Sequence, residues 1–229
     1  MKLSPAQNGF SWLVALLVPV VLVLSIVRLL LTPAFLRFEY SLPNFPPDRY
    51  GFSQPERLYW AQFAVDYLLN SADISYLGDL HFANGQPLYN ERELSHMVDV
   101  KVTVKAALRV WIAALLLLVG LGVGARWAGW WEIYLIGLRR GSWLTLIALA
   151  TIILLVLLSF NMLFVAFHNV FFKPGTWTFL YSDTLIRLFP ERFWRDIFIY
   201  VGGLAVAASL IVIFLLRNRG VRNSQGQEP

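Results

Sequence analysis

The sequence predicts an all-α membrane protein with four transmembrane helices and an extracytoplasmic cap holding an amphipathic helix and a short hairpin. Three observations carry this. The chain has 229 residues, 58% of them hydrophobic and only 14% charged. Soluble domains are nearer one quarter charged. The apolar residues gather in four blocks, each long enough to cross a hydrocarbon core of about 30 Å at about 1.5 Å per residue. The basic residues are distributed unevenly between the connections, which reports an orientation.

The spans run from about 10 to 31, 104 to 123, 143 to 167 and 197 to 216 in one membrane domain covering 1–229. The first is too long for a cleaved leader and has no small-residue cleavage site after it, so it reads as an anchor. Gly120, Gly122 and Gly124 close the second. Gly202 and Gly203 open the fourth, where small residues permit close helix contact.

Lys2, Arg126, Arg139, Arg140, Arg217, Arg219 and Arg222 lie at the N-terminus, in the connection 125–142 and in the tail 217–229, opposed only by Glu132 and Glu228. The other connections, 32–103 and 168–196, hold nine basic and twelve acidic residues. The positive-inside rule puts both termini and the middle loop in the cytoplasm and the cap outside. The net charge of +5 therefore reports topology and not nucleic-acid binding. Trp127, Trp130, Trp131 and Tyr134 read as an interfacial belt.

The cap segment 32–103 is too long for a plain connector. Pro43, Pro46 and Pro47 open it with extended chain. Ser53-Gln54-Pro55-Glu56 is a capping box, and a helix follows to about Asn70. Leu58, Phe63, Tyr67 and Leu69 make that helix amphipathic. Asn84-Gly85 is a turn signal between Leu77–Phe82 and Gln86–Tyr89, the expected hairpin. Asn90 and Glu93 form a second capping box, from which a helix runs into the second span.

The chemistry is bounded by what is present. There is no cysteine, which excludes disulfides, thiolate metal sites and a cysteine acyl-enzyme. No G-x-S-x-G elbow and no phosphate-binding glycine loop occur. The three histidines, His81, His96 and His168, all fall on the outer side, and their spacing fits no metal motif. His96 and His168 fall at similar depth near the cap–lipid boundary. Two neutral imidazoles facing one cavity can take a proton from an attacking group and return one to a leaving oxygen. The competing assignment is a pair of interfacial histidines satisfied by hydrogen bonds. The aromatic run after His168, including Phe171, Trp177 and Trp194, suits either an acyl-chain pocket or an interfacial belt.

Several segments carry a resemblance. His96-Met97-Val98-Asp99-Val100-Lys101 is similar to the H-M-x-D-V-K segment of a bacterial four-helix membrane family. Phe167-His168-Asn169-Val170-Phe171-Phe172 is similar to its F-H-x-x-F-F segment. Leu185–Pro190 and Asp48–Phe52 also resemble it. That family contains the lipoprotein intramolecular transacylases. The resemblance implies transfer of the sn-2 acyl chain of a diacylglyceryl lipoprotein to the amine of its N-terminal cysteine, giving the lyso-form. It implies a bacterial cytoplasmic membrane, lipoprotein and phospholipid partners, no nucleic acid, no cofactor and no metal. It carries the catalytic roles onto His96 and His168, without fixing which is base and which is acid. Asn90, Glu93, Asp99, Arg187, Phe171, Trp177 and Trp194 are the expected supporting residues, with Glu93 or Asp99 orienting His96. The competing functional reading is a non-catalytic membrane protein whose cap binds a lipid or protein partner.

Overall fold

The computed structural model describes residues 3–173 and 175–222. Lys2 and Glu228, used in the charge count, lie outside them. The described residues form nine helices: α1 Pro5–Leu30, α2 Pro33–Tyr40, α3 Gln54–Leu69, α4 Ser75–Gly78, α5 Glu91–Trp127, α6 Trp131–Leu158, α7 Phe160–Phe171, α8 Thr184–Leu188 and α9 Glu191–Arg222. Four of these, α1, α5, α6 and α9, are long and apolar enough to cross a membrane. The chain divides into two compact units.

The first unit comprises Met1–Val27, Arg109–Leu158 and Tyr200–Pro229. A close contact within it joins α1 to α6. A Cβ added at Gly137 would stand 2.7 Å from Val14 Cβ and 2.8 Å from the Ser11 carbonyl. One added at Gly141 would stand 2.5 Å from Val18 Cβ and 2.6 Å from the Ala15 carbonyl. This G-x-x-x-G pair lets two backbones approach where lipid offers no hydrophobic drive for helix association. Arg140 Nη1 seals one end of the contact with bonds to Asn8 Oδ1 and Ser11 Oγ. Val14, Ala125, Tyr134 and Leu135 form a small core, with Phe10, Trp130 and Trp131 packed against it.

Several boundaries differ from the sequence reading. The stretch 125–142, expected as a loop, is helical except around Ala128–Trp130. Only Trp127 keeps the exposure of a belt residue, at 85%. Gly120, Gly122 and Gly124 lie inside α5, and Gly202 and Gly203 inside α9 with open space at both Cβ positions. The third apolar block is not one helix. It breaks at Ser159, whose backbone is extended and whose Oγ caps α7 by accepting the Met162 N–H.

The second unit comprises Arg28–Leu108 and Ser159–Ile199. Both expected capping boxes are present. Ser53 Oγ accepts the Glu56 N–H while the Glu56 carboxylate accepts the Ser53 N–H. Asn90 and Glu93 repeat the exchange at 3.0 and 2.9 Å. The buried face of α3 is the expected one only in part: Tyr67 is buried, while Leu58, Phe63 and Leu69 are half-buried. Arg57, Ala61, Ala64 and Leu68 face inward, because alanines allow the close packing against α2 and α8 that Leu58 and Phe63 would prevent. The hairpin shrinks to one antiparallel bridge, His81 to Pro87, closed by Gly85 at φ +81°. Leu77 instead belongs to the turn of α4.

The short helix α8 ties this unit together. Tyr40 Oη donates to the Leu188 carbonyl. Thr184 Oγ1 donates to the Leu88 carbonyl at 2.5 Å. Arg187 grips Asp48 through Nε and Nη2, at 3.2 and 2.9 Å to its two oxygens, and its guanidinium lies 3.8 Å from the Phe52 ring centroid. Asp48 also accepts the Tyr50 and Phe52 N–H groups. Burial alone would raise the Asp48 pKa, but Arg187 and these backbone donors outweigh it and hold the carboxyl below its usual value.

Candidate active site

His96 and His168 both belong to the second unit, and their rings face each other with centroids 6.3 Å apart and planes 23° from parallel. His96 lies on the second turn of α5, where Asn90 and Glu93 fix the start of the helix. It is 8% exposed, flanked by Phe172 at 5.0 Å and Phe179 at 5.3 Å. Its Nδ1 is buried and has no hydrogen-bond partner among the described residues.

His168 is placed by α7, in the helix that Ser159 caps. Its ring lies 4.1 Å from Phe164, one turn back, and 4.7 Å from Trp177. Its Nδ1 is 2.8 Å from the Phe164 carbonyl. A carbonyl only accepts, so Nδ1 carries the proton in this contact and Nε2 keeps its lone pair. Burial pushes the His168 pKa below the usual histidine value, and the Phe164 carbonyl only partly opposes this. The neutral imidazole is therefore the resting form at neutral pH, with a proton-accepting nitrogen free.

The supporting residues divide. Trp177 belongs to the cage, and its buried Nε1 has no acceptor among the described residues. Phe171 lies tilted against Phe167 at 4.8 Å and is half exposed, with neither histidine among its ring contacts in the described residues. Trp194 packs with Phe189 and Phe193. Arg187 is the Asp48 clamp. Asn90 caps α5 and donates to Asp183, which also pairs with Arg92 at 2.9 Å. Glu93 makes no hydrogen bond to His96 among the described residues. Its two oxygens accept the N–H groups of Asn90 and Leu185. Asp99 shares the helix face of His96 but makes no hydrogen bond to it among the described residues.

Lys101, in the same motif, is structural. Its Nζ donates to Asn70 Oδ1 and the Ala72 carbonyl and lies 3.7 Å from the Tyr67 ring centroid. His81 stays near its turn, exposed, with Nδ1 2.8 Å from the Asp79 carbonyl. Phe164 was not singled out from the sequence, although its i, i+4 spacing to His168 was a readable signal. A cavity of about 400 Å³ lies in the cap, lined by Tyr40, Asp48, Phe52, Gln54 and Arg57 among others. None of its lining residues belongs to the histidine cage.

Fold and site together define a membrane-integral helical protein with two facing histidines in an aromatic cage. The chain belongs to the lipoprotein intramolecular transacylase family, Lit, which its sequence matches over residues 11–194. An uncharacterized protein of Aquifex aeolicus (strain VF5) is 31% identical over 194 residues, covering 82% of this chain and 83% of that one. The membrane-integral transacylase Lit from Bacillus cereus has the same fold, with a TM-score of 0.66 and 18% identity over 96% of this chain and 98% of that one. A variant of that enzyme with one histidine replaced by alanine aligns at 0.62 and 15% identity, over 96% of each chain.

Proposed function

We infer that this protein moves the sn-2 acyl chain of a diacylglyceryl lipoprotein to the α-amine of the same molecule's N-terminal cysteine. The observation that carries the reading is the facing pair His96 and His168, with His168 Nδ1 held by a carbonyl. The amine nitrogen attacks the ester carbonyl carbon, and His168 Nε2 takes the proton it sheds. The tetrahedral intermediate collapses with cleavage of the bond to the sn-2 oxygen. The imidazolium returns its proton to that oxygen, and His96 offers it a hydrogen bond as it departs. The products are one amide and one hydroxyl. No water or co-reactant is consumed and no net proton is lost.

No acyl-enzyme is needed, in keeping with a chain that has no cysteine. Ester and amine share one molecule, so the protein's main task is to fold that molecule into a reactive ring. Such positioning is worth up to about 7–11 kcal/mol of barrier. The ring-lined walls, Phe164, Phe172, Phe179 and Trp177, suit an acyl chain and exclude water that would hydrolyse the ester. In this reading the protein lies in a bacterial cytoplasmic membrane with both termini cytoplasmic and the cap outside.

The test is expression in a bacterium lacking its own lipoprotein N-acylation, with mass spectra of one reporter lipoprotein's N-terminal peptide. The wild type is expected to yield the lyso-form, and His96→Ala and His168→Ala to leave the diacylglyceryl form. A wild type that leaves the reporter untouched despite good membrane expression would contradict the reading. A cap that only binds a lipid or protein would then account for the fold.

A further inference from the structure

Tetrahedral chemistry places a negative charge on the former carbonyl oxygen, and something must meet it. The neighbourhood of His168 supplies few donors. His168 lies in the last turn of α7, the end of a helix that presents carbonyls and carries the negative pole of its dipole. The first N–H beyond that helix, on Phe172, already bonds the His168 carbonyl at 2.7 Å. Two cations of this unit are engaged: Arg92 pairs with Asp183 and Lys101 bonds Asn70 and Ala72, and Lys173, five residues beyond His168, is exposed.

One buried donor beside His168 has no partner among the described residues. The Trp177 ring stands 4.7 Å from His168 and 6.3 Å from Phe164. Its Nε1–H is buried and meets no acceptor among the described residues. An indole N–H only donates, and a buried donor without an acceptor is rare enough to need an explanation. His96 Nδ1 is in the same condition across the cage. Two unpartnered polar atoms flanking one catalytic ring point to a polar group of the substrate that completes both.

We propose that the Trp177 indole N–H binds the ester carbonyl oxygen and stabilises it as an oxyanion, making Trp177 a third catalytic residue. The proposal rests on the acyl-transfer reading above. It divides the labour among three nitrogens. His168 Nε2 takes the amine proton, His96 serves the departing sn-2 oxygen, and Trp177 Nε1–H holds the oxygen that acquires charge. A donor fixed in place before reaction, in a site closed to water, is worth far more than the same donor in solvent.

The test uses the full-length purified protein in vesicles with a synthetic diacylglyceryl lipopeptide. Trp177→Phe keeps an aromatic ring and removes the N–H. Benzothienylalanine installed at position 177 keeps the indole shape and replaces the N–H with sulphur. Both are expected to lower kcat by about 10²-fold with little change in KM, the pattern of an interaction made in the transition state. Trp127→Phe, at an exposed position, is expected to match the wild type. Wild-type kcat in the benzothienylalanine protein overturns the proposal, because the ring would then act by packing alone. A rise in KM at unchanged kcat overturns it too. A wild type that transfers no acyl chain defeats the underlying reading, and this inference with it, before any variant is compared.

Discussion

Glu93 is a buried carboxylate three residues before His96 on α5, and two roles are open to it. It is 1% exposed. One oxygen accepts the Leu185 N–H at 2.7 Å in a buried contact, and the other accepts the partly buried Asn90 N–H at 2.9 Å. These bonds join the start of α5 to α8, across 92 residues of chain. Glu93→Ala strands the Leu185 donor, at about 1–3 kcal/mol, while water can reach Asn90 and limit that loss to about 1 kcal/mol. The sum is about 3 kcal/mol, or roughly 6–12 °C in Tm at about 2–4 °C per kcal/mol for a chain this long. Glu93→Gln keeps one acceptor and loses about half as much. Tryptophan fluorescence during a thermal ramp in detergent measures both. Acyl transfer assayed well below either Tm is expected to stay within a few fold of wild type. An unshifted Tm with lost activity in Glu93→Gln would refute the reasoning and return Glu93 to the catalytic set.

Two further outcomes follow from the geometry. At Gly141 an added Cβ meets backbone at 2.6 Å, so α1 and α6 must part. Gly141→Ala is expected to cost about 1–3 kcal/mol and Gly137→Ala/Gly141→Ala more, and an unchanged Tm in the double variant would contradict the close approach. The third outcome concerns pH. His168 is held below the ordinary histidine value of about 6.5. Its base form therefore persists below that pH, and the midpoint of the His168 imidazole titration, read by NMR, is expected below 6.5, apart from the rate loss that protonation of the substrate's α-amine causes at about 7.7–8.0. Between the folded value and 6.5 the unfolded chain binds the extra proton, so stability declines as pH falls through that window. A His168 titration midpoint at or above 6.5 would contradict a buried neutral His168.

What was legible in the sequence was local. Ser53 with Glu56 and Asn90 with Glu93 announce helix starts within four residues, and both caps form as expected. Apolar length marked four helices capable of spanning. His96 and His168 lie 72 positions apart, so the pair was legible as a coincidence of depth and through the two family-like segments that carry them, and not from local spacing. The roles of Glu93 and Arg187 were hidden for the same reason: their partners, Leu185 and Asp48, are distant in sequence. The break at Ser159 was masked by apolar residues on both sides, although a serine before a helical run is a capping signal. Gly137 and Gly141 went unread because Arg139 and Arg140 between them look like a loop. In the structure Arg140 turns to bond Asn8 and Ser11, and the glycines are free to meet α1. Trp177 was readable only as one aromatic among many.

The central claim is an intramolecular transfer served by two histidines. The most direct measurement mixes two lipopeptides of different peptide mass with the purified protein, one carrying an isotope-labelled acyl chain at sn-2 and the other unlabelled. Mass spectra of the products then show where each chain goes. The account predicts that every labelled chain appears on the amine of its own peptide, with a free sn-2 hydroxyl and no released fatty acid. It also predicts that His96→Ala and His168→Ala each abolish transfer. Label on the other peptide, or transfer that survives loss of either histidine, would contradict it.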